Sequence, residues 1–82
     1  MGRKEVIQLI TMDKLKLGES AIVEKVSAKS DIRRRFSDIG LIKGTNVKCV
    51  SVSPLGDPKA FLIRGAVIVI RNCDSNTIIL RY

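Results

Sequence analysis

No helix interior and no central strand can contain Pro54-Leu55-Gly56-Asp57-Pro58, a five-residue segment with two prolines and a glycine. The prolines remove backbone donors and the glycine admits a positive φ, so the segment is a turn that divides the chain. Short β-branched runs lie on both sides of it. Residues 45–53 alternate at Val47 and Cys49, with a change of phase near Val50. Residues 60–63 and 66–71 flank Arg64-Gly65, the kind of two-residue connection that closes a tight hairpin. An earlier run, residues 19–28, slips its alternation between Val23 and Val26, and a bulge at Glu24-Lys25 returns both valines to one face. A polar turn over residues 72–76 leads into a last strand, residues 77–82.

Only one segment carries a full set of helix signals. Ser30 is placed to cap a helix, and Asp31 suits its positive end. Ile32, Phe36 and Ile39 then recur at i, i+4 and i+7 on one face. Gly40 falls where a left-handed residue ends a helix, and Leu41 falls where a Schellman ending packs back on Phe36.

At 82 residues, with 45% hydrophobic side chains, the chain is one small domain with a folded core. Phe36, Phe61 and Tyr82 are its only aromatics, so the core is aliphatic. Five or so short strands with one short helix after the first predict a mainly β fold, and a small SH3-like barrel fits the count because closure removes exposed edges. Residues 1–10 read as an N-terminal extension, an appendage or a short strand. The domain proper then runs over residues 11–82, opening with a turn of helix at residues 12–15 and a stop at Gly18.

The chain has no histidine, which removes the commonest general base and the commonest metal ligand. Cys49 reads as a small buried hydrophobe in phase with Val47, and Cys73 lies in a polar turn; two isolated cysteines do not make a structural zinc site. The carboxylates are scattered among caps, turns and outward positions, and no glycine-rich loop runs into Lys and Ser or Thr. No enzyme activity, cofactor or metal site is expected. The longest apolar run, residues 60–70, is broken by Arg64 and Gly65 and falls short of the ~20 residues that cross a bilayer. With no signal-peptide core or cleavage site near Met1, a cytoplasmic location is expected.

Charge is the feature that points outward. Fifteen Lys and Arg against eight Asp and Glu give a formal net charge of +7, which favours anionic partners. Arg33, Arg34 and Arg35 are consecutive on the helix and spread around the side away from Ile32, Phe36 and Ile39. They read either as a solvated face or as an anion-seeking patch. On the final hairpin, alternation buries Ile68 and Ile70 and leaves Val67 and Val69 outward. Those valines are either covered by residues 1–10 or form a docking or weak homo-oligomer contact.

The order of short motifs resembles one family. The run Arg35-Phe36-Ser37-Asp38-Ile39-Gly40-Leu41-Ile42-Lys43-Gly44-Thr45-Asn46-Val47, the Ser53-Pro54-Leu55-Gly56-Asp57-Pro58 turn, the Arg64-Gly65 hairpin and the Ile70-Arg71 strand end are similar to the ferrous iron transport protein A (FeoA) family. Leu15-Lys16-Leu17-Gly18-Glu19-Ser20-Ala21 matches that family's opening. The resemblance implies an SH3-like barrel and a cytoplasmic role in bacterial ferrous iron uptake. The implied partner is the cytosolic G-protein domain of the ferrous iron permease, ferrous iron transport protein B (FeoB), with membrane contact only through the permease. A similar domain ends iron-dependent repressors, which keeps a stand-alone regulatory role open. The family supplies no catalytic or metal residues to carry over. The ten-residue extension and the apolar Val67 and Val69 depart from its pattern.

The partner surface expected from these readings combines Arg33, Arg34 and Arg35 with Leu41, Ile42 and Lys43 after the helix and Leu55 at the tip of the Pro-Gly turn. Leu55 either projects as a contact or folds back to plug the barrel. Two other readings stand beside this one. A basic barrel could bind nucleic acid, although three scattered aromatics make no stacking platform, so none is expected. Asp38 and Asp57 could bind Fe²⁺ directly.

Overall fold

A computed structural model describes residues 7–82. Six strands, β1 (Leu9–Thr11), β2 (Ser20–Val26), β3 (Asn46–Val52), β4 (Lys59–Ile63), β5 (Ala66–Ile70) and β6 (Ile78–Arg81), form one antiparallel sheet in the order β1-β6-β2-β3-β4-β5. Helix α1 (Ser30–Asp38) joins β2 to β3, helix α2 (Asn72–Ser75) joins β5 to β6, and a 3-10 turn (Met12–Lys14) follows β1. The mainly β, SH3-like expectation holds, although β1 and β5 end the strand order without pairing with each other, so closure does not remove the edges; there is one more strand than the expected five. That strand is β1, which pairs Leu9 with Arg81 and Ile10 with Leu80, so the end of the expected extension joins the sheet. The rest of the extension, residues 1–6, lies outside the described residues.

Two bulges curl the sheet around its core. Val23 pairs with Leu80 and Lys25 with Ile79, so Glu24 is the extra residue, as the slipped alternation predicts. Cys49 pairs with Phe61 and Ser51 with Ala60, leaving Val50 as the second bulge, at the expected change of phase. The two bulges keep alternate residues facing inward along strands that would otherwise turn them to solvent. Ala21 and Val23, Val47 and Cys49, Phe61 and Ile63, Ile70, and Ile78 and Leu80 are buried together. Met12, Leu15, Phe36 and Leu41 complete the same cluster. Burying each large aliphatic or aromatic side chain is worth about 1.5–3 kcal/mol, and Ile10, Val26, Ile32, Ile39, Val52 and Ile68 pack half-buried against this one cluster.

Helix α1 ends as its sequence requires. The Leu41 amide donates to the Phe36 carbonyl at 2.8 Å and the Gly40 amide to the Ser37 carbonyl at 3.0 Å, the two bonds of a Schellman motif. Gly40 takes φ +93°, which it alone among common residues adopts without strain. Thr45 adds its hydroxyl to the Gly40 carbonyl at 2.7 Å. The start differs from expectation. Ser30 is already helical; Lys29 occupies the cap position with extended backbone, accepts the Arg33 amide at 2.8 Å through its carbonyl, and offers no side-chain cap.

The polar turn after β5 is also different, being the short helix α2. Its first amide, Asn72 N–H, donates to the Asp57 carboxylate at 2.9 Å, and Asn72 Nδ2 donates to the Gly56 carbonyl at 3.2 Å. An acceptor fifteen residues away in sequence therefore stabilises a helix too short to form alone. The same bonds fix the 54–58 turn. Arg64 and Gly65 both have positive φ, +50° and +84°, the backbone of a type I′ hairpin.

Candidate functional site: two grooves beside helix α1

The bulge in β2 and the Schellman ending of α1 place two short segments side by side. Gly44 N–H donates to the Val23 carbonyl and Val23 N–H to the Thr45 carbonyl, at 2.8 and 2.9 Å, which holds the loop after α1 against β2. Beside them lies an open groove of about 600 Å³. Glu24, Lys25 and Val26 form one wall, Arg33, Arg34, Ser37 and Asp38 of α1 another, and Leu41, Ile42 and Lys43 the end.

The groove has an apolar base and a basic rim. Leu41 is buried beneath it, while Ile42 is 45% exposed. Arg33 is held in place by donating from Nη2 to the Val26 carbonyl at 3.1 Å. Four basic side chains, Lys25, Arg33, Arg34 and Lys43, line it against two acidic ones, Glu24 and Asp38. Glu24 faces Lys43 at 3.6 Å and Arg81 at 3.3 Å. Both are surface pairs and worth little to stability. Such a surface can seat an apolar side chain flanked by carboxylates.

Five of the seven residues expected from sequence thus line one groove: Arg33, Arg34, Leu41, Ile42 and Lys43. Arg35 points elsewhere. With Ile32, Phe36 and Ile39 it lines a second groove, about 480 Å³, against Ile68, Val69, Ile70 and Arg71 and against Asp74 of α2. Leu55 stands apart from both. The loop carrying Leu41, Ile42 and Lys43 precedes β3 and Leu55 follows it, so a seven-residue strand, about 20 Å at ~3.3 Å per residue, lies between them. Leu55 is 94% exposed, so it projects and does not plug the barrel. Lys25 and Val26 were not anticipated. The bulge visible at Glu24-Lys25 was the signal for them, since a bulge re-aims the residues beside it.

Cys49 is buried in the core and Cys73 is exposed, and both are free. Val67 and Val69 are 63% and 64% exposed on β5. The described part of the extension does not cover them, because β1 lies at the opposite edge of the sheet. Among the described residues no three His, Cys, Asp or Glu side chains come together as metal ligands. Nor is any helix among them long and apolar enough to cross a membrane.

Fold and grooves together define a small SH3-like β domain with apolar clefts rimmed by basic side chains. The chain belongs to the FeoA family, whose domain model matches residues 10–82. The FeoA protein of Chlorobium tepidum is 33% identical, with a TM-score of 0.78 over 84% of this chain; this chain spans 66% of its length. The FeoA of Stenotrophomonas maltophilia, solved with zinc and described as a procaryotic SH3 domain protein, is 28% identical, with a TM-score of 0.77 over 87% of this chain and 88% of that one. T. acidophilum IdeR shares the fold alone, at 24% identity and a TM-score of 0.77, over 96% of this chain and 36% of its own. No curated protein sequence gives a significant match.

Proposed function

We propose that this chain is a cytoplasmic accessory protein of ferrous iron uptake that binds the cytosolic domain of the ferrous iron permease, a FeoB-type protein. Membership of the FeoA family ties it to ferrous iron transport. The S. maltophilia relative is described as a possible ferrous iron transport activating factor, which agrees with an accessory role. The observation that carries the binding surface is the groove between the β2 bulge and α1, which gathers Arg33, Arg34, Ile42 and Lys43 over the buried Leu41. A partner segment with an apolar residue between carboxylates would bury Ile42 and meet the rim. Leu55 is a separate contact beyond β3, in the turn whose Gly56 and Asp57 bond to Asn72.

A pull-down with the permease's cytosolic domain tests this reading. Arg34→Glu and Ile42→Glu should each lower retention at least tenfold, with the folded state unchanged by circular dichroism. Retention equal to that of the unaltered protein in both variants would remove the groove from the account. Leu55→Glu reports on the second contact independently. A nucleic-acid reading has less to stand on: Phe36 and Phe61 are both buried, leaving no pair of aromatic faces on the described sheet surface to stack bases.

A further inference from the structure

Strand β5 is an unprotected edge. It pairs with β4 on one side and with nothing on the other among the described residues. Natural edges carry charges, prolines or bulges that prevent further pairing. Ala66-Val67-Ile68-Val69-Ile70 has no charge and no proline, and its register with β4 runs without a break. The register also fixes which groups are open. Ile63 pairs with Ala66 across the two-residue turn and is the hydrogen-bonded closing pair, so residues 66, 68 and 70 bond to β4. The amides and carbonyls of Val67 and Val69 therefore point outward along the edge. Their side chains are exposed too, beside Leu62 of β4.

The second groove runs along this edge. Its floor is Ile32, Phe36, Ile39 and Ile68, and its rim carries Arg35 and Arg71. Neither arginine makes an ion pair among the described residues, although Asp74 is on the same rim. We infer that the β5 edge and the groove beside it take up, as a seventh strand, an extended peptide segment whose inward face carries both apolar and acidic residues. Backbone bonds to Val67 and Val69 give the strand its register, the groove takes its inward apolar side chains, and Arg35 and Arg71 take its carboxylates. Charge decides against a second copy of this chain. Pairing β5 with itself would bring together two edges each lined by Arg35 and Arg71, on chains of net charge +7 each. An acidic strand removes that repulsion.

This site occupies the face of α1 opposite the groove proposed for the permease, and the two stand or fall separately. The test uses the full chain, ¹⁵N-labelled, titrated with an acetylated and amidated peptide of Val-Val-Glu-Glu repeats, which carries both Val and Glu on each face of a strand. The expected result is shifts confined to β5 and the adjoining face of α1, with slowed amide exchange at Val67 and Val69. A peptide of Val-Val-Lys-Lys repeats should not bind. Arg35→Glu combined with Arg71→Glu should weaken the Val–Glu peptide at least tenfold while leaving the dispersed spectrum intact, and Val69→Lys should weaken it through the edge itself. No shift at about 1 mM peptide, or equal binding of the lysine peptide, overturns the proposal. So does sedimentation showing that the protein alone dimerises and that Val67→Lys with Val69→Lys restores the monomer, because the edge then belongs to a second copy.

Discussion

Gly40 carries two constraints at one atom position. Its φ of +93° belongs to the left-handed region, and a Cβ there would stand 2.3 Å from Cδ of Arg64, whose stem lies across the glycine. The arginine stem is flexible and can move aside; the backbone conformation cannot be exchanged without losing the Schellman bonds. Gly40→Ala should therefore cost about 1–2 kcal/mol in urea unfolding, most of it from the backbone. Adding Arg64→Ala should recover only a minor part, and full recovery would show that crowding is the real constraint. Leu55 behaves oppositely. Because it is almost wholly exposed and touches no core residue, Leu55→Glu should leave stability within about 0.5 kcal/mol. Any effect on partner binding is then a surface effect.

At the scale of elements, legibility followed locality. Helix α1 carried its apolar stripe, its glycine stop and its packing residue within eleven positions, so its end was readable bond for bond. The bulges at Glu24 and Val50 were readable because a period of two has no other way to absorb a slip. Helix α2 was not readable: four polar residues make a turn until Asp57 supplies an acceptor for Asn72. Strand β1 was half legible: a short strand was one of two readings of residues 1–10, and its partners on β6 decide for it. The groove shows the same division. Arg33, Arg34 and residues 41–43 are neighbours along one helix and its exit, whereas Lys25 and Val26 reach them only through the fold. Asp57→Ala should lower stability by about 1 kcal/mol, as losing a helix cap does. Hydrogen exchange should quicken at Gly56 and Asn72 and stay unchanged in α1; uniform quickening would mean the loop is coupled to the whole barrel.

Across the whole molecule, charge and shape act together. A net charge of +7 on a small barrel steers acidic surfaces toward it from beyond contact distance, and salt screens that attraction over about 8–10 Å. The basic residues are not evenly useful, because α1 sorts them: Arg33 and Arg34 turn to the β2 side and Arg35 to the β5 side. One helix thus serves two separate grooves, and the stable core beneath it keeps both in place. The groove between the β2 bulge and α1 is the surface we propose meets the permease. Its most direct test is an NMR titration of the labelled protein with the permease's cytosolic domain, at low and at physiological salt. The expected result is amide shifts clustered on Lys25, Val26, Arg33, Arg34, Ile42 and Lys43, with affinity falling as salt rises. Saturating binding that leaves those six amides unmoved, or no binding even at low salt, would contradict it.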